Sequence, residues 1–150
     1  MKSVKPVEAH LGFWLRFVSN HVSGRFARLL EERGFRVAEW VALRTLYGDA
    51  GGTHADLILT LGMTKGATSK VITKLEEKGL VERHMAENSA KEQRLVLTAS
   101  GKRVVPELVI LADENEEYFF SHLSKSEMAT LMKLMKGLVE HHKFRQVPTK

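Results

Sequence analysis

Between Thr53 and Leu97 the chain is punctuated so densely that only short elements fit, and this stretch constrains the fold most. Thr53-His54-Ala55-Asp56 is a variant capping box, with a hydroxyl to take a first-turn amide and a carboxylate to reach back. It opens a short helix carrying Leu57, Ile58 and Leu61, which Gly62 closes. Thr64 caps the next helix, whose apolar stripe is Ala67, Val71 and Leu75. Glu76-Glu77-Lys78-Gly79-Leu80 ends it in a Schellman-type pattern, with glycine just past the helix and an apolar residue after it. Val81 to Met85 and Gln93 to Leu97 are β-prone runs joined by polar residues 86–92, which predicts a two-stranded hairpin.

The flanks follow a different rhythm. Prolines stand only at positions 6, 106 and 148, which favours long helices. A first helix is predicted from about Glu8 to Arg33, with Leu11, Trp14, Leu15, Val18, Val22, Phe26, Leu29 and Leu30 as one stripe. Phe13 and Phe17 make its first half apolar on a second face, which calls for a second partner there, a second chain being one source. A helix from Val37 to Tyr47 follows, with Trp40, Val41, Leu43 and Leu46 inward. Thr98 caps a helix from about Ala99 to His122, which Pro106 should kink. Ser124-Lys125-Ser126-Glu127 is a full capping box for a last helix bearing Met128, Leu131, Leu134, Met135, Leu138 and His142 on one side. The whole of 1–150 reads as a single, mainly α domain with one hairpin.

Composition narrows the function. With 43% hydrophobic and 27% charged residues the balance is that of a globular chain. No apolar run approaches the ~18 residues of a membrane span, and Arg16 breaks Phe13–Val18, so no membrane partner and a cytoplasmic location are expected. The absence of cysteine excludes disulfides, thiolate metal sites and cysteine nucleophiles. There is no Gly-rich phosphate loop, no G-x-S-x-G, and no acid–base pattern among the seven histidines, so no enzyme and no cofactor are expected. His54 is expected on an exposed helix start. The net charge of +5 permits a polyanionic partner. More telling, Thr64 to Leu75 holds Lys65, Lys70 and Lys74 and no acid.

Helix, short helix, tight turn, helix and hairpin in that order spell a winged helix-turn-helix, with residues 53–98 as the DNA-binding module. In such a unit the second helix of the pair offers its N-terminal half to the DNA major groove, where base edges are legible. Gly66 and Ala67 keep the approach open, and Thr64, Lys65, Thr68 and Ser69 offer polar groups to bases or phosphates. Lys70 and Lys74, one turn apart, suit phosphate oxygens.

Three stretches carry a family resemblance: Leu61 to Lys70, Leu75-Glu76-Glu77-Lys78-Gly79-Leu80-Val81-Glu82-Arg83, and Leu95-Val96-Leu97-Thr98-Ala99-Ser100-Gly101. Together, in this order, they resemble the MarR family of bacterial winged-helix repressors. The resemblance implies one MarR-type domain over 1–150. It implies a homodimer, assembled through dimerisation helices at 7–34 and 99–145, on double-stranded DNA with a pseudopalindromic operator. It also implies modulation by a small, often aromatic ligand near the junction of the dimerisation helices and the module. The family usually carries Asp-x-Arg at the wing tip, where this chain has Ser89-Ala90-Lys91. Lys91 keeps the charge without the planar fork of arginine, so a looser wing is expected, with Lys91 and Arg94 as its contacts.

Two other uses are open to residues of this chain. Glu140, His141 and His142, with His122 and His10, raise a metal-responsive regulator with histidines near the dimer interface, although two histidines at a helix end are more simply dipole-friendly caps. The aromatic residues Phe13, Trp14, Phe17, Tyr118, Phe119 and Phe120 suit core, dimer interface or ligand pocket alike. His21, Arg25 and Arg28 border that region and are expected on a solvated face.

Overall fold

A computed structural model describes residues 3–48, 51–86 and 89–144, with the side chains of 86–92 excepted. After a single 3-10 turn at Val7–Ala9 come α1 (Leu11–Glu32), α2 (Val37–Leu46), β1 (Gly52–Thr53), α3 (His54–Leu61) and α4 (Lys65–Glu77). Then follow β2 (Val81–Ala86), β3 (Ser89–Leu97), α5 (Ala99–Phe120) and α6 (Lys125–His142). The predicted helices are all present, and α5 runs on through Pro106.

The sheet departs from expectation by one strand. β3 is central, with β2 antiparallel on one side and the two-residue β1 on the other, pairing Gly52 with Leu95 and Thr53 with Arg94. β1 is too short to show a period of two in the sequence. Its effect is to tie the start of α3 to the hairpin.

The ends of the elements from α3 to α5 are set by local chemistry. At α3, Thr53 Oγ1 accepts from the Asp56 amide at 3.1 Å and the Asp56 carboxylate accepts from the Thr53 amide at 2.9 Å. The Asp56 carboxyl is held below its ordinary range, first by the Thr53 amide, then by the Thr53 side chain, with the charge of Arg94 adding to them. Gly62 takes a left-handed conformation, φ 62°, and turns the chain from α3 into α4. Thr98 joins the module to α5. Its hydroxyl donates to the Gly79 carbonyl at 2.6 Å and accepts from the Gly101 amide at 3.0 Å. Gly101 lies so close that any Cβ there would run into the Leu80 carbonyl oxygen.

The core sits under the module. Leu43, Leu46, Leu57, Leu61, Ile72, Leu75, Leu95 and Leu97 are buried together, joined by Leu30 from α1 and by Val105, Leu108 and Leu111 from α5. The far end of α4 is clamped to the turn before α2. Lys78 Nζ donates to the Gly34 carbonyl at 2.6 Å and pairs with Glu39 at 2.7 Å, lying 4.4 Å from the centre of the Phe35 ring. The buried Glu39 carboxylate also accepts from the Arg36 amide at 2.9 Å, so its charge is fully engaged.

The first half of α1 and all of α6 behave otherwise. The predicted single stripe of α1 splits. Phe26, Leu29 and Leu30 pack against the core, while Leu11, Trp14, Leu15 and Val18 stay exposed, as does Phe17 on the second face. No residue of α6 is buried, and Leu134 is 59% exposed.

Candidate nucleic-acid interface

The surface built around α4 has one cationic face. Thr64 Oγ1 accepts from the Ala67 amide at 3.1 Å, and the first turn holds no acid, so Lys65 coincides with the positive end of the helix dipole. Thr64, Lys65, Gly66, Lys70 and Lys74 are exposed. Gly66, Lys70, Thr73 and Lys74 recur at helical spacing and form one outward row. Thr73 belongs to this face although residue type does not announce it. Its position three residues after Lys70 is the signal that the sequence offers.

Thr68 requires correction as a base-contact candidate. It is fully buried, with Val71, Ile72 and Leu75 on the same stripe, and its hydroxyl has no hydrogen-bond partner among the described residues. Thr68 lies three and four residues before Val71 and Ile72, so the helical period already places it inward. Its polarity alone suggests the groove.

Ser69 is half-buried and engaged. Its Oγ lies 3.3 Å from His54 Nε2, across the turn from the first residue of α3. His54 is therefore not the fully exposed helix start expected. Partial burial lowers its pKa first, and the nearby charges of Arg83 and Lys65 lower it further. Arg83 is drawn onto Glu76, with 2.8 Å between its guanidinium and the carboxylate.

The wing candidates separate. Arg94 is exposed on the central strand, opposite Thr53 on one side and His84 on the other, so it stands at the root of the hairpin rather than its tip. The strand register shifts between Met85 and Ala86. The expected looseness at Ser89-Ala90-Lys91 concerns side chains outside the described residues, as does any contact from Lys91.

Away from the module, on α1, Arg25 does not lie on the solvated face expected. It is half-buried and bridges α1 to α5, donating to the Asn115 side-chain oxygen at 3.0 Å and lying 4.1 Å from the Tyr118 ring centre. Asn115 returns a bond to the Val22 carbonyl at 3.1 Å. Phe13, Trp14 and Phe17 form an aromatic cluster along the uncovered part of α1. His142 stacks on Phe144 at the end of α6. Among the described residues no group of three or more histidine, aspartate or glutamate side chains is placed to hold a metal ion. No described helix is long and apolar enough to cross a membrane.

Residues 35–101 match a family model described as a winged helix DNA-binding domain. A transcriptional regulatory protein for the hcr operon of Thauera aromatica is 26% identical over 129 residues, covering 85% of this chain and 78% of the relative. The crystal structure of CouR from Rhodococcus jostii RHA1 bound to p-coumaroyl-CoA superposes with a TM-score of 0.79 at 20% identity, over 97% of this chain and 99% of that one. A MarR-family transcriptional regulator from Rhodococcus sp. RHA1 superposes with a TM-score of 0.77 at 20% identity, over 90% and 96%. At such identities the superpositions speak for the fold, and they span the flanking helices as well as the module.

Proposed function

We propose that this chain, which carries a winged-helix DNA-binding domain on the architecture of the MarR-family regulators, is a homodimeric transcriptional repressor that reads a pseudopalindromic operator. The acid-free outward row of α4, with Lys65, Lys70 and Lys74 around a bare Gly66, carries this reading. A helix of that shape and charge enters the major groove end-on, with lysines on phosphates and short side chains against the bases. The residues proposed to contact DNA are Thr64, Lys65, Gly66, Ser69, Lys70 and Lys74, with Lys91 and Arg94 following the backbone from the wing.

Dimerisation is supported by α6, which has no buried residue within its own chain, and by the exposed apolar first half of α1. Two α4 helices offered about 34 Å apart enter successive major grooves on one duplex face. A dimer seated there represses by occupying the DNA that polymerase needs. A small aromatic ligand that favours another spacing lowers affinity by shifting the population between the two arrangements. The similarity to CouR, crystallised with p-coumaroyl-CoA, supports a ligand of this kind.

Selection of bound duplexes from a random DNA pool tests the reading. A two-fold sequence with half-sites one helical turn apart is expected. In the same assay, Lys70→Ala with Lys74→Ala lowers affinity about tenfold or more and flattens the salt dependence by about 0.9 per lost phosphate contact. Wild-type affinity from that double variant overturns the assignment of α4.

A further inference from the structure

The contact between His54 and Ser69 joins the first residue of α3 to the second turn of α4, at the edge of the row proposed to face DNA. A serine hydroxyl has one proton to give and two lone pairs to receive with. Which of these it turns outward depends on what its inner neighbour takes. The neighbour is an imidazole flanked by Lys65 and Arg83, two cations that disfavour a third positive charge on the ring. A neutral imidazole keeps one bare nitrogen.

We propose that His54 is a specificity-determining residue that acts through Ser69: the Ser69 hydroxyl donates a hydrogen bond to its Nε2, so Ser69 meets the major groove as an acceptor only. An acceptor at that point selects a base with an exocyclic amino group there, adenine through N6 or cytosine through N4. It rejects guanine and thymine, which present the carbonyl oxygens O6 and O4. Without His54 the hydroxyl is free to rotate its proton outward and donate to those oxygens. The base read at one position of each half-site is thus set by a residue on the supporting helix. This inference rests on α4 being the DNA-reading helix.

The experiment is random-pool selection with wild type, His54→Ala, His54→Phe and Ser69→Ala, each checked by its melting curve. His54→Phe keeps the bulk of the ring and removes the acceptor, so it remains informative where the alanine variant is loosely folded. Wild type is expected to enrich adenine or cytosine at one position per half-site by about fivefold to tenfold, the worth of one base-edge hydrogen bond. Both His54 variants are expected to lose or invert that preference at that position alone, and Ser69→Ala to abolish it. An unchanged preference in the His54 variants overturns the proposal while leaving the DNA-reading assignment intact. So does a wild-type preference for guanine or thymine at the Ser69-dependent position. If wild type enriches no common sequence, the assignment of α4 falls, and this inference with it.

Discussion

Two amphipathic helices of this chain, α4 and α6, have similar apolar spacing and opposite fates. α4 buries Thr68, Val71, Ile72 and Leu75 beneath its own domain, while α6 has no buried residue. The difference lies in what the chain folds back onto each. Capped turns at Thr53, Gly62 and Gly79, with the three-stranded sheet, fold α3, the hairpin and α2 around α4 at short sequence distance. α6 starts from a full capping box at Ser124, and no described element of the same chain buries it. One region is therefore packed within its own chain, whereas the other keeps its apolar side exposed.

The largest effect expected from breaking the contrast is at Leu75, which is fully buried. Leu75→Ala leaves a cavity and costs about 2–5 kcal/mol by thermal or denaturant unfolding, at any protein concentration. Leu134→Ala on α6 costs little within one chain, and its penalty appears on dilution, as a concentration-dependent midpoint. Equal, dilution-independent losses at both sites would erase the distinction between the two helices.

A middling effect is expected at the α3 cap. Thr53→Ala removes the acceptor for the Asp56 amide and costs about 1 kcal/mol. The same cap gives stability a dependence on acid. The folded carboxyl of Asp56 is held below its ordinary value of 3.8. The folded state therefore binds its proton less readily than the unfolded chain. The contribution is fully present above that ordinary value and is lost as pH falls through the lowered one. Melting curves of Asp56→Asn against wild type are expected to converge as the pH is taken down through that range.

The smallest effect sharpens the picture of α4 itself. Thr68→Val replaces an unpartnered buried hydroxyl with a methyl of the same shape, and is expected to leave stability unchanged or raise it by up to about 1 kcal/mol. Base preference in pool selection should not move. A changed preference would mean that Thr68 reaches the groove after all.

Capping signals make much of the fold legible in the amino acids themselves. Thr53, Thr64, Thr98 and Ser124 each accept the amide that their spacing foretells, because a cap is a bond between residues three apart. The cationic residues of the α4 face are legible too, since helical phase follows from counting. Thr68 misleads for the opposite reason: residue type points one way and phase the other, and phase wins. β1 is invisible because two residues carry no period. Arg25 reads as a solvated arginine until α5 brings Asn115 and Tyr118 against it, ninety residues away in the chain in the case of Asn115.

From its amino acids alone this protein determined where helices begin and end, which side of each is apolar, and that one short helix would be basic and free of acids through most of its length. Those properties arise from neighbours within a turn or two, and local chemistry is written locally. Only the folded chain decided that Lys78 would close on Gly34 and Glu39, that His54 would meet Ser69, and that α6 would stay unburied. Each of those depends on the angle at which distant segments pack, and that angle is set by the sum of the core rather than by any stretch of sequence.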